Sequence, residues 1–479
     1  MRGLFIVFIF VVASSAFIKS ILFWVWIWQI KEYRLDRFLA EYGTASKLVR
    51  FWIGAGGKKF QKPKWTSKAM GIALFSFFVI EIAALVMPYN LDYAVIFLPL
   101  FYLLLYAVLP VLVCAFVLLF KIPTYIVRQS AGARAAAKIR KMPQLIVIGI
   151  TGSYGKSSTK EFLSSILERK FRVVKTPANI NTEIGIFHFI LNDLVPQAEI
   201  FVVEMGAYRQ GEIKNICRVV RPKIGILTGI SEQHLALFGS LENTKKAKYE
   251  LIESLPADGV AVFNGENKIA LELAEKWKGK GIIYRKSIFP ITKKLPPHYE
   301  VNLSGAIDVA KYLGMTSQEI DEVIRSMDFD SMVRAQYVGR RGASIINDTY
   351  SANPDGVLAA LDFLASLPQK RKIVIMPTLI ELGSAAVAVH EKIGHKIRDV
   401  CDLAIITTYD YFKDIERGAG DGFDKLTTSK VIFENNPEAI KAILDKKITK
   451  DTAILLEGRL PTEVIAYVSE THDRSKTTN

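Results

Sequence analysis

The residues best suited to chemistry lie in a glycine-rich loop, TGSYGKSSTK, at positions 151–160. A short apolar run precedes the loop and a helical pattern follows it. Backbone N–H groups in such a loop bind phosphate oxygens, a lysine reaches the terminal phosphates, and a serine hydroxyl ligates Mg²⁺. Only Ser153 and Tyr154 separate its glycines, fewer than in the general GxxxxGKS/T pattern, and a plain glycine turn is the alternative. The predicted phosphate-binding residues are Gly152, Ser153, Gly155, Lys156, Ser157 and Ser158.

A second candidate is the acidic residue at the end of the apolar run IFVVEM, at 200–205. In a parallel sheet, ligands bind at the edge formed by the carboxyl ends of the strands. A carboxylate at that edge suits Mg²⁺ coordination. Glu204 is therefore predicted to be a metal ligand, and a solvated acid at a strand end is the alternative.

Three further segments follow the loop in an order that resembles the Mur ligase family. They are TPANINTEIG at 176–185, VEMGAYRQGEI at 203–213, and the stretch 229–250 with EQHLALFGS and KKAKYE. The resemblance implies an ATP-dependent ligase that activates a carboxylate as an acyl phosphate and joins it to an amine. It also implies ATP and Mg²⁺ as cofactors, with two metal ions.

The resemblance gives roles to residues that the sequence alone would not single out. A lone histidine is more often structural than a ligand, yet His234 corresponds to a metal ligand of the family. Lys248 lies in a lysine-rich helical run that by itself indicates a solvated face, and the family's carbamylated lysine falls on this position. Carbamylation would turn the cation into a carboxylate-like metal ligand. The predicted metal set is Ser157, Glu204, His234 and Lys248.

An arginine beyond these motifs completes the predicted catalytic set. Arg334, in MVRAQ at 332–336, falls where the family has an arginine that contacts phosphate after domain closure. A guanidinium suits that task because it can bind phosphate in a bidentate geometry. The predicted catalytic residues are Lys156, His234, Lys248 and Arg334.

Nucleotide contacts are implied by two later segments. The first, 297–314, resembles the family's adenine-site segment and keeps Asn302, but it has Tyr299 in place of an asparagine. The second, NDTYSANPDG at 347–356, resembles a family signature around the ribose, and a helix-start turn is the alternative for it. The predicted nucleotide-binding residues in these segments are Asn302, Asp348, Tyr350 and Asn353, together with Arg334.

The chain departs from the family in regions that face the amine substrate there. IELG, at 380–383, and His390 resemble a motif of the family's C-terminal domain. The family has a Gly-Asp-Met run before that motif, where this chain has Met-Pro-Thr at 376–378. It also has a Lys-Gly-Ser run near the end, where this chain has Glu457-Gly458-Arg459. The amine substrate is therefore left open.

The elements that must position these residues alternate between short β-rich runs and amphipathic helical stretches. Such alternation predicts parallel α/β architecture. A P-loop ATP-binding domain with a parallel sheet is predicted at 144–330, and a Rossmann-like C-terminal domain at 331–479. The predicted strands are 145–150, 200–203, 224–227, 259–263, 343–346, 373–376, 403–407, 431–433 and 453–456.

The N-terminal quarter of the chain is strongly apolar and predicts membrane-spanning helices. Basic residues flank these segments and the turn at Pro88 has none, so the positive-inside bias places the ligase domains in the cytosol. The first span is interpreted as an uncleaved anchor, with a cleaved signal peptide as the alternative. The predicted spans are 4–30, 70–87 and 91–122, in a transmembrane region 1–125 that a basic linker at 126–143 follows.

Charge and cysteine usage narrow the expected partners and compartment. The formal net charge is +15, and many basic residues flank the apolar segments, so a bilayer with anionic head groups is expected rather than nucleic acid. The three cysteines, Cys114, Cys217 and Cys401, are far apart and odd in number, which indicates a reducing compartment.

The combined prediction is an integral plasma-membrane protein with cytosolic ligase domains, acting in cell-wall or cell-surface polymer biosynthesis. Membrane segments stand where the family has a uridine-nucleotide domain, so the carboxylate donor is expected to be lipid-linked or otherwise presented at the membrane. One alternative is a membrane-bound synthetase of poly-amino acids or capsule that adds residues repeatedly. Others are a non-catalytic ATP-binding scaffold and a P-loop kinase or transport ATPase. Oligomeric state is left open.

Overall fold

The computed structural model of the chain contains two compact units, Met1–Ser130 and Ala131–Asn479. The second unit contains two α/β domains, each built on a six-stranded sheet. The structure describes residues 2–31, 33–42, 62–86, 94–178, 180–231, 238–287, 295, 297–329, 337–349, 352–380, 382–420 and 430–470.

The first unit is helical, and its long helices pack around a shared apolar cluster that includes Trp24, Ile72 and Leu109. Inside it, the Ser14 hydroxyl donates a hydrogen bond to the Glu81 carboxylate at 3.0 Å. The predicted spans 4–30, 70–87 and 91–122 overlap helices α1, α3 and α4 within the described residues, and their crossing of a membrane stays a prediction. The helices are α1 (Arg2–Ile30), α2 (Leu35–Tyr42), α3 (Ser67–Val86), α4 (Ala94–Leu119) and α5 (Lys121–Arg140), the last of which continues into the second unit.

Two helical stretches in the described part of the chain, Val11–Ile30 and Pro99–Arg140, are long and apolar enough to cross a membrane.

The central domain is a parallel sheet in the order β2-β3-β1-β4-β5-β6, covered by helices on both faces. Its strands are almost entirely apolar because both faces are buried; Val147 packs into one core and Ile148 into the other. The strands are β1 (Ile146–Thr151), β2 (Val173–Lys175), β3 (Ile200–Glu204), β4 (Ile224–Leu227), β5 (Val260–Asn264) and β6 (Lys280–Tyr284). The helices are α6 (Lys156–Leu167), α7 (Glu183–Asn192), α8 (Glu212–Val220), α9 (Leu241–Glu253), α10 (Lys268–Lys276), α11 (Pro297–Tyr312) and α12 (Ser317–Ser326).

The C-terminal domain has the sheet order β11-β10-β9-β12-β8-β7, parallel except for the short edge strand β7, which pairs antiparallel with β8. The strands are β7 (Tyr337–Val338), β8 (Ser344–Asp348), β9 (Arg371–Met376), β10 (Leu403–Ile406), β11 (Lys430–Phe433) and β12 (Thr452–Glu457). The helices are α13 (Pro354–Ser366), α14 (Ala386–Val400), α15 (Phe412–Ala419), α16 (Pro437–Asp445) and α17 (Thr462–Ser469), with 3-10 turns at Arg340–Gly342 and Gly383–Ala385.

The predicted α/β class with parallel sheets is confirmed, and each of the nine predicted strands overlaps an observed one. The strands that the sequence did not predict are β2, β6 and β7. Each lies at an edge of its sheet or is only two or three residues long, so its apolar pattern is weak. The predicted domain boundary at residue 330 lies outside the described residues.

Candidate nucleotide and metal site

The glycine loop joins the buried strand β1 to helix α6, as the sequence predicts. Gly155 immediately precedes the helix in a left-handed conformation, with φ of 77°, and a Cβ there would lie 2.7 Å from the Asn302 Oδ1 atom. A Cβ on Gly152 would overlap the Thr228 hydroxyl. No side chain in the described part of the chain caps the start of α6. Its first N–H groups therefore suit an anion, because a helix N-terminus carries unpaired donors and partial positive charge.

Residues that the sequence analysis missed fix the shape of this loop. The Ser153 N–H donates to the Gly229 carbonyl at 2.7 Å, and the Asn267 amide donates to the Tyr154 hydroxyl at 2.9 Å. The Thr228 hydroxyl donates to the Thr151 carbonyl at 3.2 Å. These partners lie at or beyond the carboxyl ends of β4 and β5. Only the parallel strand order, which a sequence does not state, brings them to the loop.

Glu204 lies at the carboxyl end of β3, where it is only 2% exposed. Its Oε2 atom accepts a hydrogen bond from the Ser157 hydroxyl at 2.8 Å, and its Oε1 atom accepts one from the Asn181 amide at 3.1 Å. The Nζ atom of the fully buried Lys160 lies 3.5 Å from Oε2. The solvated-acid interpretation of Glu204 therefore does not hold, and its carboxylate has a charge partner that the sequence analysis did not identify.

Two lysines donate to one carbonyl oxygen of the loop. The Nζ atoms of Lys156 and Lys248 lie 2.8 and 3.0 Å from the Gly152 oxygen. Lys248 is only 3% exposed, so the solvated-face interpretation of its helix does not apply to it. Burial lowers the pKa of Lys248 well below its ordinary value, and the charge of Lys156 lowers it further. Burial also lowers the pKa of Lys156, against the opposing charge of Glu204.

Three of the four predicted metal ligands, Ser157, Glu204 and Lys248, lie in the described part of the chain. Ser157 and Glu204 offer a hydroxyl and a carboxylate oxygen side by side, which is a donor set that Mg²⁺ accepts. An unmodified Lys248 amine does not suit a cation site. Among the described residues, no group of three or more His, Cys, Asp and Glu side chains could hold a metal ion. His234 lies outside the described residues.

The predicted adenine-side residue Asn302 contacts the start of α6. It is 2% exposed, and its amide donates to the Ser158 hydroxyl at 2.9 Å. Its contact with adenine stays a prediction. Next to it, the rings of His298 and Tyr299 lie 4.1 Å apart between centroids, and burial lowers the pKa of His298 to about 4.

The C-terminal domain faces this site with the end of β8 and the start of α13. Asp348 ends β8, and burial raises its pKa to about 6. Asn353 caps α13 by accepting a hydrogen bond from the Gly356 N–H at 2.9 Å, so the helix-start interpretation holds and its nucleotide contact stays a prediction. Burial, and after it the charge of Asp355, raises the pKa of Tyr154 to about 12, so Tyr154 of the central domain lies near Asp355 of the C-terminal domain. Arg334 and Tyr350 lie outside the described residues.

Both ring nitrogens of His390 form hydrogen bonds with the backbone. Its Nε2 atom accepts a hydrogen bond from the Leu379 N–H at 2.9 Å, and its Nδ1 atom lies 2.6 Å from the Ala386 carbonyl, to which it donates. Its ring stacks on Tyr411 at 4.6 Å between centroids. A ring that accepts at Nε2 and donates at Nδ1 is neutral. His390 therefore fixes the backbone at Leu379, directly before the segment that resembles the family motif.

A buried strand, a glycine loop with paired lysines, and a carboxylate at the neighbouring strand end define a P-loop nucleotide-binding protein with two α/β domains. Comparison with known families narrows this class. Residues 150–290 match the Mur ligase middle domain, and residues 333–460 match the Mur ligase glutamate ligase domain. The two matches together cover more than half of the chain, and the chain belongs to the Mur ligase family.

Individual relatives agree with this assignment. The chain is 29% identical to the UDP-N-acetylmuramoyl-tripeptide–D-alanyl-D-alanine ligase of Synechocystis sp. over 55% of this chain and 62% of the relative. It is 30% identical to the ligase of the same name from Bacillus subtilis over 52% of this chain and 59% of the relative. The chain thus spans less than two thirds of the length of these two relatives.

Solved structures show the same fold. The crystal structure of MurF from Acinetobacter baumannii aligns with a TM-score of 0.61 and 23% identity over 71% of this chain and 79% of that one. MurF ligase from Thermotoga maritima, solved in complex with ADP, aligns with a TM-score of 0.58 and 24% identity over 71% of this chain and 82% of that one.

Proposed function

We propose that the chain is an ATP-dependent amide-bond ligase that works through an acyl phosphate. One observation carries this proposal. At the junction of β1 and α6, the Ser157–Glu204 pair and the buried amine of Lys248 lie at the same glycine-rich loop, which is of the type that binds phosphate. A protein that only binds a nucleotide has no need of a buried lysine with a lowered pKa beside that loop. The relatives named as ligases of a tripeptide precursor and D-alanyl-D-alanine support the same reaction class.

In the proposed site, the N–H groups at the start of α6 hold the triphosphate of ATP and Lys156 neutralises its terminal phosphates. Ser157 and Glu204 would hold Mg²⁺, with further ligands from His234 and a modified Lys248 for a second ion. Bound Mg²⁺ supplies charge neutralisation of the phosphoryl group that is transferred. Arg334 is proposed to bind the same phosphates, and Asn302, Asp348, Tyr350 and Asn353 to shape the nucleoside site.

The reaction proposed is a two-step transfer. A carboxylate oxygen of the donor attacks the γ-phosphorus of ATP, which forms the acyl phosphate and releases ADP. The neutral amine of the acceptor then attacks the acyl carbon, phosphate leaves, and the nitrogen loses a proton to give the amide. Enclosure between the two domains protects the acyl phosphate from water.

Lys248 is proposed to act in its carbamylated form. Only a neutral amine attacks carbon dioxide, and burial already favours the neutral form of this lysine. The nitrogen bonds to the carbon of CO₂ and loses one proton, which leaves a carbamate with two oxygens and a negative charge. Those oxygens would remove the conflict between a lysine and a neighbouring Mg²⁺.

We further propose that the chain is an integral protein of the plasma membrane with its ligase domains in the cytosol. Support comes from the two helical stretches that are long and apolar enough to span a bilayer, and from the basic residues that flank the apolar segments. The donor carboxylate would then be lipid-linked or presented at the membrane, in cell-wall or surface-polymer synthesis. A synthetase that adds residues repeatedly differs only in the number of amide bonds formed.

The test is release of ADP and phosphate by the full-length protein in detergent, with Mg²⁺ and bicarbonate. Donors would be cell-wall peptides and lipid-linked precursors, each with and without candidate amines. Release that requires both a carboxylate and an amine is expected, with mass spectrometry counting the bonds formed. Lys248→Ala should abolish it, while Lys246→Ala, on the exposed side of the same helix, should not. Release without an acceptor would indicate an ATPase, and nucleotide binding without release would indicate a scaffold.

A further inference from the structure

Glu457 is a buried carboxylate that the proposed phosphate and metal chemistry does not use. It ends strand β12 and is only 1% exposed. Both of its carboxylate oxygens are buried, and neither has a hydrogen-bond partner among the described residues. Leaving a buried polar group unpaired is unfavourable, and more so for a charged group. Such a side chain is therefore expected where a ligand completes its hydrogen bonds.

A second carboxylate lies beside it. Asp348 ends the neighbouring parallel strand β8 and is in direct register with Glu457. The Gly458 N–H donates to the Asp348 carbonyl at 2.9 Å, which ties the two strand ends together. Burial raises the pKa of Glu457 well above its ordinary value, and the Asp348 charge raises it further. No positive side chain in the described ranges offsets either carboxyl group.

The two carboxyl groups face the central domain. Burial raises the pKa of Tyr299, and the charges of Asp348 and Glu457 raise it further, so this phenol of helix α11 lies close to both acids. Helix α11 also contacts α13, which starts just after β8. The acidic pair therefore lies at the carboxyl edge of the C-terminal sheet, where that sheet meets the nucleotide-binding domain.

We infer that Glu457 is a subsite for an organic ammonium group of the acceptor amine, next to Asp348, which keeps its proposed place in the nucleoside site. This inference deepens the proposed ligase function and rests on it. The ligase reaction brings two kinds of cation to the chain, Mg²⁺ and the ammonium form of the acceptor. The proposed Mg²⁺ ligands Ser157 and Glu204 belong to the central sheet, which leaves the ammonium for this edge.

The chemistry of the pair suits an ammonium group. An ammonium has three N–H donors and no acceptor, and Glu457 offers two unpaired acceptor oxygens next to a second carboxyl group. The same acids would repel a carboxylate of the acceptor. By the family resemblance, a Lys-Gly-Ser run stands where this chain has Glu457-Gly458-Arg459, so the sign of the charge at this strand end is reversed. The acceptor is therefore expected to be an amine with a neutral or cationic group here.

The binding test uses the full-length protein with ADP and Mg²⁺, and measures by calorimetry the affinity for propylamine, putrescine and D-alanyl-D-alanine. The variants are Glu457→Gln, which keeps the shape but removes the charge, and Glu457→Lys, which reverses it. Glu463→Gln, an exposed acid on the helix after the same strand, is the matched control. Circular dichroism and ADP affinity check that each variant is folded.

Glu457→Gln is expected to weaken amine binding at least about tenfold without changing ADP affinity, because a hydrogen bond to a charged group is lost. The wild-type protein should bind propylamine more tightly than D-alanyl-D-alanine, whose carboxylate the acids repel, and Glu457→Lys should reverse this order of affinity. An equal loss for propylamine and putrescine assigns the site to the nitrogen that reacts, which binds as an ammonium and must lose one proton before it attacks. A loss confined to putrescine assigns the site to a second cationic group. Unchanged amine affinity, or a loss of Mg²⁺ affinity instead, would overturn the inference.

The turnover assay separates this inference from the proposed function. If the wild-type protein binds amines through Glu457 but releases no ADP with any donor and acceptor, the ligase function fails and the subsite stands. If amine-dependent release occurs and Glu457→Gln leaves kcat/KM for the amine unchanged, the ligase function stands and the subsite fails.

Discussion

The Ser157 hydroxyl donates a hydrogen bond of 2.8 Å to the Glu204 carboxylate, across the gap between the start of α6 and the end of β3. This bond holds together the two oxygen donors that we propose for Mg²⁺. It also means that the pair is preformed, because each side chain already points toward the other. The buried Lys160, 3.5 Å from the same carboxylate, offsets its charge.

Replacing Glu204 with Gln is expected to weaken Mg²⁺-dependent ATP binding at least about tenfold, because an amide oxygen is a poorer ligand for Mg²⁺ than a carboxylate. The measurement is ATP affinity as a function of Mg²⁺ concentration. The control is Glu168→Gln, an exposed acid at the end of α6. Equal Mg²⁺ dependence in Glu204→Gln and the wild type would remove Glu204 from the metal site.

Gly155→Ala should destabilise the protein and abolish ATP binding. An alanine in the left-handed conformation costs about 1 kcal/mol. Its Cβ would also lie only 2.7 Å from the Asn302 Oδ1 atom, which is too close. Gly314→Ala is the matched control, since Gly314 has a φ of 83° but a Cβ added there would have no neighbouring atom within 4 Å. Thermal unfolding should therefore shift more for Gly155→Ala. Equal shifts would mean that the loop relaxes away from Asn302.

The strands and the loop that form the site were easier to predict from the sequence than the side-chain contacts within it. Strands such as Ile224–Leu227 were predictable because two buried faces require a continuous apolar run. The class of loop was predictable because glycines, Lys156 and Ser157 have a fixed register after β1. Lys160 and Asn181 could not be identified as partners of Glu204, because only the packing of α6 against β3 brings them there.

The residues that sequence patterns described least well are those whose environment is set by burial. Lys248 lies in a lysine-rich run with exposed neighbours such as Lys246, and periodicity does not tell which of these lysines points inward. Glu457 was visible as a departure from the family pattern. The sequence could not show that Glu457 lacks a hydrogen-bond partner among the described residues. That depends on the strand order β9-β12-β8, which places Glu457 at the end of an inner strand of the sheet.

His298 should make stability depend on pH on the acidic side. Burial lowers its pKa in the folded protein to about 4, from an ordinary value near 6.5, so the unfolded chain binds the proton first. The neutral ring's contribution is complete above about pH 6.5 and is lost as the pH falls toward about 4. His298→Phe keeps a ring beside Tyr299 and removes the titration, so its melting temperature should fall less over that range. The control is the same substitution at His395, on α14. If the melting temperature of His298→Phe fell with pH as steeply as that of the wild type, the prediction would be wrong.

Membrane insertion with cytosolic ligase domains predicts a defined pattern of protease sensitivity. In inverted vesicles the C-terminal domain faces the medium, so added protease should remove an epitope placed after Asn479. In right-side-out vesicles the same epitope should be protected until detergent is added. The full-length protein should also stay with the membrane fraction after alkaline carbonate extraction, because apolar helices of the length of Pro99–Arg140 are held by hydrocarbon rather than by charge. Release by carbonate would mean peripheral attachment through the basic residues, and protection in inverted vesicles would reverse the proposed orientation.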